Sequence, residues 1–316
     1  MINKLIGNTP MIKINYKYKN KLRSIYVKLE FYNLTGSIKD RIAYYMLDDA
    51  IKNGTLKENM PIVEATSGNT GISLAALGTF IKHKVVIFMP DWVSEERRKI
   101  LKMYGAEVHL VSKEEGGFNE CIKRAKKYSL ENNGLYTNQF SNKINIKAHE
   151  ETTGTEIINK LIPDGFISGI GTGGTLIGVS NKIKQKNKNC NIWALEPTNM
   201  SLLKTGKIGS HKIDGIGDEF IPEIVDVDMI ENILLITDEE AITMANMLSK
   251  SLGLGVGISS GANMMAAIKM NEEIKGNIVT IFPDDLKKYI SSDLGKIFEN
   301  DNKQNYDIEL IDYEII

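Results

Sequence analysis

Residues 165–181 read Gly-Phe-Ile-Ser-Gly-Ile-Gly-Thr-Gly-Gly-Thr-Leu-Ile-Gly-Val-Ser-Asn. A short apolar run, 165–170, enters a glycine loop, and a helical pattern resumes at Leu176. Strand, loop and helix in that order make the unit of a parallel sheet covered by helices. Backbone N–H groups of such a loop, the helix N-terminus behind it and the hydroxyls of Thr172 and Thr175 form a cradle for an anionic group such as phosphate.

The same rhythm extends in both directions. Strands are expected at 24–29, 61–65, 84–89 (stopped by Pro90), 107–111, 191–195 and 277–282. Helices are expected at 40–53 with Gly54 as C-terminal cap, at 72–80, at 94–104 opened by Ser94, Glu95 and Glu96, and at 238–252 capped by Thr237 or Asp238. The alternation argues for an α/β fold with parallel sheets flanked by helices. The tail, 300–316, is polar and then alternating, as an edge strand or a frayed end docking on a partner would be.

Two further loops carry chemistry. In Asn33-Leu34-Thr35-Gly36-Ser37-Ile38-Lys39-Asp40-Arg41 a turn of small residues delivers a lysine to the start of a helix. The positive N-terminus disfavours its charged form, and an amine that serves as nucleophile or imine former needs that depression. The plainer reading is an exposed helix lysine behind a capping Ser37. In Glu64-Ala65-Thr66-Ser67-Gly68-Asn69-Thr70-Gly71 hydroxyls and a helix N-terminus follow a strand, which suits a carboxylate; an ordinary turn would look similar. The glycine loop also matches G-x-G-x-x-G at Gly169, Gly171 and Gly174, with Glu196 22 residues further on, as in a nicotinamide-dependent dehydrogenase. That reading leaves the other two loops unexplained.

The 316 residues are 42% hydrophobic with a formal net charge of -1, which gives no pull toward nucleic acid. The lysines are spread along the chain and read as solvated surface. Cys121 and Cys190 form no C-x-x-C pair, so neither a disulfide framework nor a zinc knuckle is expected, and no metal. Nothing at the start reads as a signal peptide and no run is long enough to span a membrane, so the expectation is a cytoplasmic protein.

With these residues in place, the chain resembles the pyridoxal 5′-phosphate (PLP)-dependent cysteine synthase and cystathionine β-synthase family, of the tryptophan synthase β-like fold. The resemblance runs from Ile6-Gly7-Asn8-Thr9-Pro10 through the lysine loop, Thr66 to Gly71, Met89-Pro90, the SEERRKIL segment at 94–101, Tyr104-Gly105-Ala106, Asn138-Gln139-Phe140 and Thr152-Thr153-Gly154. It continues through the glycine loop, Glu196-Pro197, Gly215-Ile216-Gly217, Phe220-Ile221-Pro222 and Gly257-Ile258-Ser259-Ser260-Gly261. It implies that Lys39 holds PLP covalently, that Asn69 bonds the ring hydroxyl, that Gly171, Thr172, Gly173, Gly174 and Thr175 bind the phosphate and that Ser259 faces the pyridine nitrogen. Thr66, Ser67, Gly68, Thr70 and Gln139 would hold the substrate carboxylate. It implies two domains, 40–145 as the smaller mobile one and 1–39 with 146–316 as the larger, and a homodimer. The reaction class is β-replacement or β-elimination on a serine- or cysteine-type amino acid.

Departures from the family pattern bear on the substrate. Leu34 stands where many relatives carry proline, and Pro283-Asp284-Asp285-Leu286-Lys287-Lys288-Tyr289 looks more like cystathionine β-synthases. In Gly217-Asp218-Glu219-Phe220, typical cysteine synthases have small residues near the cleft. A carboxylate at that place repels hydrosulfide and can take a proton from water or a thiol, which makes Asp218 a catalytic candidate; a solvated loop acid is its plainer reading, and the favoured one for Glu219. The expectation is cysteine as donor, with release of hydrogen sulfide and water or thiol addition to give serine, lanthionine or cystathionine. The alternatives are cysteine synthesis from O-acetylserine and sulfide, the dehydrogenase, and a non-catalytic partner-binding protein.

Overall fold

The computed structural model describes residues 2–296 and 306–316. The strands are β1 (Met11–Tyr18), β2 (Lys21–Leu29), β3 (Ile62–Ala65), β4 (Val85–Pro90), β5 (Glu107–Val111), β6 (Leu135–Tyr136), β7 (Gly165–Gly169), β8 (Asn191–Pro197), β9 (Asn232–Ile236), β10 (Ile278–Phe282) and β11 (Ile308–Ile315). They form a four-stranded sheet, β5-β4-β3-β6, and a seven-stranded sheet, β11-β1-β2-β10-β7-β8-β9. The smaller sheet is parallel throughout.

Alternation along β3 and β4 explains why that sheet is covered on both faces. Ile62, Val85, Ile87 and Met89 pack against Ala43 and Leu47 of helix Lys39–Lys52 and Ile72 and Leu74 of helix Asn69–Phe80. Val63, Ala65, Val86 and Phe88 face Cys121 and Ala125 of helix Gly117–Glu131. In the larger sheet, Phe166, Ile192, Val279 and Ile281 meet helix Gly174–Lys184, while Ile167, Trp193, Leu195 and Phe282 meet helices Asp238–Leu252 and Ile258–Glu273.

One edge of the larger sheet departs from the parallel expectation. β1 pairs antiparallel with β2 and with β11. Lys19 and Asn20, both at positive φ, make the two-residue turn that matches the twist of a β1–β2 hairpin. The alternating tail is the edge strand β11; residues 300–305 of that expectation lie outside the described residues. No helix among the described residues is long and apolar enough to cross a membrane. Cys121 and Cys190 are free and buried, and burial pushes both thiols up to about 12.

A buried ionic cluster anchors the start of helix Lys39–Lys52. Arg41 donates to Glu30 Oε2 at 2.6 Å and Oε1 at 2.8 Å, and to Glu156 Oε1 at 2.6 Å. Lys28 lies 2.7 Å from Glu156 and also donates to Thr9. Burial opposes ionisation of Glu30, but Arg41 and Lys28 outweigh it and hold the carboxyl well below the usual range. Glu30→Ala strips a buried guanidinium of its bidentate partner and should destabilise the protein by roughly 3–5 kcal/mol, read from the urea midpoint. Because the folded carboxyl is the stronger acid, its contribution is in full above the ordinary carboxylate range and is lost as pH falls below it; the wild-type and variant midpoints should therefore converge in acid.

Candidate active site

The strand-to-helix turns after β3 and β7 and the segment after β10 meet where the carboxyl ends of parallel strands converge, the usual place for a site in an α/β protein. Between them lies a cavity lined from both sheets. Lys39 lines it from the first turn of its helix, with Pro283 alongside; Ile38 N–H donates to Pro283 O at 2.9 Å and fixes that turn on the end of β10. The lysine ammonium is disfavoured, chiefly because its amine is enclosed, with Asp218 and Asp284 acting in the opposite sense. Burial, rather than the helix N-terminus expected from the sequence, is thus the leading cause of its depressed pKa.

The β3 turn brings Thr66, Ser67, Asn69 and Thr70 to one wall, with Gln139 behind them. Thr70 donates to Gln139 Oε1 at 2.6 Å, and Gln139 Nε2 donates to Ala65 O at 2.9 Å. Glu64 anchors this set, accepting from Thr137 Oγ1 at 2.6 Å and from the Gln139 N–H at 3.1 Å; burial raises its carboxyl to about 7. Gly68 stands one step back, against Arg97. Asn69 Nδ2 donates to Asp284 Oδ2 at 2.8 Å, while its Oδ1 is buried with no partner.

The β7 loop supplies Gly171, Thr172, Gly173 and Thr175 to the facing wall. Gly173 has φ +87 as N-cap of helix Gly174–Lys184. Gly174 packs on Asn145, whose Nδ2 donates to Thr172 Oγ1 at 2.9 Å; a Cβ on Gly174 would lie 1.9 Å from Asn145 Oδ1. Thr175 Oγ1 is 3.2 Å from His149 Nε2, and burial, helped by Lys39 and Arg41, holds that imidazole neutral, with its pKa down to about 3. Ser259, at the start of helix Ile258–Glu273, and Asp218 complete the lining. Burial raises Asp218 to about 6; Lys39 opposes the shift and Glu219 adds to it. Glu219 itself is exposed, the solvated loop acid expected of it, and accepts from Asn119 at 3.2 Å.

Glu196 does not reach the glycine loop's ligand side. Its buried carboxylate caps the short helix Leu202–Thr205, accepting from Ser201 Oγ at 2.8 Å and from the N–H groups of Leu203 and Lys204 at 3.0 and 3.1 Å. Its carboxylate is committed to capping that helix rather than to a ribose, which leaves the dehydrogenase reading without its acid. Asn145, His149, Arg97 and Glu64 were not among the residues expected from the sequence to line or support the site. Asn145 and His149 are four apart on one helical face, a spacing that marks a shared contact but not its target.

A family described as pyridoxal-phosphate-dependent enzymes matches residues 2–284. A cysteine synthase of Staphylococcus aureus is 39% identical over 298 residues, 93% of this chain and 96% of that protein. A hydrogen sulfide-producing enzyme of Fusobacterium nucleatum superposes with TM-score 0.93 at 44% identity, covering 100% of this chain and 98% of the other. An O-acetylserine-dependent cystathionine β-synthase of Helicobacter pylori gives TM-score 0.85 at 33% identity, covering 93% and 98%.

Gly174→Ala should force the β7 loop off Asn145, because a methyl group cannot sit 1.9 Å from an amide oxygen. Uptake of pyridoxal phosphate, followed by visible absorbance, should weaken about a hundredfold or more, since the loop's N–H groups would no longer converge.

Proposed function

The chain belongs to the pyridoxal-phosphate-dependent enzymes, in the branch that holds the cysteine synthases and cystathionine β-synthases, and from that premise we propose that it takes cysteine as donor, releases hydrogen sulfide and adds water or a thiol to the β-carbon. That it uses PLP for β-replacement or β-elimination in sulfur amino-acid metabolism follows from the membership itself.

The cavity fits the cofactor. A lysine with a depressed pKa stands at one end, the glycine and threonine loop at the helix N-terminus at the other, and the buried, unpartnered Asn69 Oδ1 between. In the reading proposed, Lys39 holds the aldehyde carbon, Gly171 to Thr175 the phosphate, Asn69 the ring hydroxyl and Ser259 the ring nitrogen. Bound PLP supplies the electron sink that loosens bonds at the α- and β-carbons of an amino acid. The turn from Thr66 to Thr70, with Gln139, orients the substrate carboxylate. Lys39 holds or moves the proton at the α-carbon, for which an enclosed amine is suited.

Asp218 carries the choice of donor and acceptor. Its carboxylate shares the cavity with Lys39, and burial keeps its proton affinity close to neutrality. A negative charge there disfavours entry of hydrosulfide and favours its loss, and the same oxygen takes a proton from water or a neutral thiol. The likeness to the hydrogen sulfide-producing enzyme supports the same direction. A cysteine synthase running from O-acetylserine and sulfide is the second reading, favoured by the 39% identity with the S. aureus protein. Two copies per assembly belong to the proposal, supported by the exposed Ile311, Tyr313 and Ile315 on the edge strand β11.

The decisive measurement is the holoenzyme incubated with cysteine alone. Sulfide and serine should both appear; absence of both overturns the cysteine reading. Asp218→Asn should lower serine formation about a hundredfold or more, the scale of a lost general base. Because Asp218 acts ionised and its acid is raised to about 6, the wild-type rate should rise with pH through that value and level above it. The variant should lack that limb.

A further inference from the structure

The turn that faces the substrate carboxylate offers hydroxyls and amides but no charge of its own; the charge lies beneath it. Arg97, on helix Glu95–Met103, is only 2% exposed, yet it reaches the cavity lining. Gly68 has φ +154, and a Cβ there would meet Arg97 Cδ at 2.4 Å and Nε at 2.9 Å, so the turn's backbone lies directly on the arginine stem. A guanidinium taken out of water needs partners, and this one spans the cleft to find them. Nη1 donates to Asp214 on the opposite wall, and the Tyr289 ring lies 4.7 Å from its central carbon; Nε is buried with no partner. Tyr289 donates to Asp284 Oδ2 at 2.9 Å, the oxygen that also accepts from Asn69. Asp214 lines both the cavity and a wider outer mouth beyond it, where Trp92 and His211 stand. Its side chain is 43% exposed, so it is the accessible end of the tie.

We infer that Arg97 is a positioning residue for the substrate carboxylate, acting as the cationic floor of the Thr66–Thr70 turn, and that Asp214 holds this floor in place by tying it across the cleft. A buried positive charge under the turn attracts an anion resting on it more strongly than a solvated one would. Releasing Asp214 frees the guanidinium to withdraw, and the turn loses its support at Gly68. The inference rests on the assignment of that turn to the amino-acid carboxylate, but not on the identity of the leaving group or acceptor.

The test uses the holoenzyme and L-alanine, which has the carboxylate and amine but no leaving group. Binding is read from the change in cofactor absorbance, and amide hydrogen exchange across residues 66–71 is followed in parallel. Asp214→Asn should weaken alanine binding about fivefold or more and speed that exchange, the size of an ordinary site-to-site coupling. Asp214→Glu should restore both. Arg97→Lys, which keeps the charge and loses the fork, should fall with Asp214→Asn. With cysteine at saturation, kcat of Asp214→Asn should stay within about twofold of wild type, because the loss is in uniform binding. Wild-type affinity for alanine in both Asp214→Asn and Arg97→Lys, or a lowered kcat at unchanged affinity, overturns the inference. If alanine behaves as stated while cysteine yields no sulfide, the donor proposal fails and this one stands.

Discussion

The enclosure of one amine governs the rest of this molecule. Lys39 sits at the first turn of a helix whose next residues, Asp40 and Arg41, are both buried, so the helix start is pinned from three sides. Asp40 accepts from the Thr35 N–H and hydroxyl, each at 2.6 Å, which closes the lysine loop on itself. Arg41 ties the same turn to Glu30 at the end of β2 and to Glu156. With the helix start fixed there, burial of the Lys39 amine disfavours its ammonium form. The costly ion cluster beneath it makes sense as a mount: replacing a buried ion pair by apolar side chains is often neutral for stability, whereas a fork of fixed geometry holds a helix start in one position.

The second constraint is that the walls of the cavity come from different sheets. The Thr66–Thr70 turn belongs to the four-stranded sheet, and the glycine loop, Ser259 and Asp218 belong with the seven-stranded one. Their relative position is set by contacts that bridge the two sheets. The segment after β10 makes several of these: Asp284 holds Asn69, Lys288 O accepts from Ser94 Oγ at 3.0 Å, and Ser291 donates to Glu96 Oε2 at 2.6 Å. Lys288 donates to Gly36 O in the lysine loop at 3.0 Å. Ser94 was expected to cap its own helix; its hydroxyl is spent on this contact instead. One short segment thereby touches the lysine loop, the Asn69 amide and the helix that carries Arg97.

Much of this was legible in the sequence, and the parts that were not have a common cause. The three strand-loop-helix signatures are local, made by glycines and hydroxyl residues at fixed places beside apolar runs, and they were readable along with the residues that line the cavity. Helix Asp238–Leu252 fell where its capping box put it, with Thr237 accepting from the Glu240 N–H at 3.1 Å. By contrast β1 went unassigned although Met11–Tyr18 alternates, because its pairing with β11 joins the two ends of the chain. Helix Ile258–Glu273 was missed because it is buried almost all round, so it has no polar stripe to betray its period. Arg97 looked like one charge among several in an acidic and basic run, and only tertiary packing distinguishes it from the exposed Lys99 on the same helix. Residues whose role depends on what lies across a cleft carry no mark in the chain.

Environment also explains how two ionisable groups of opposite kind can share one cavity. In water Lys39 would hold its proton and Asp218 would have lost its own, by a wide margin in both cases. Enclosure moves the amine down and the carboxyl up, toward each other, because each is disfavoured as an ion. They are not an ion pair within 4 Å among the contacts of the described residues, so neither is locked in its charged form by the other. Each can therefore gain or lose a proton at little cost while the rest of the site keeps its shape. A direct lysine–aspartate contact would have fixed both charges and removed that freedom. Separation within a shared cavity is what would leave each group free to exchange its proton independently of the other.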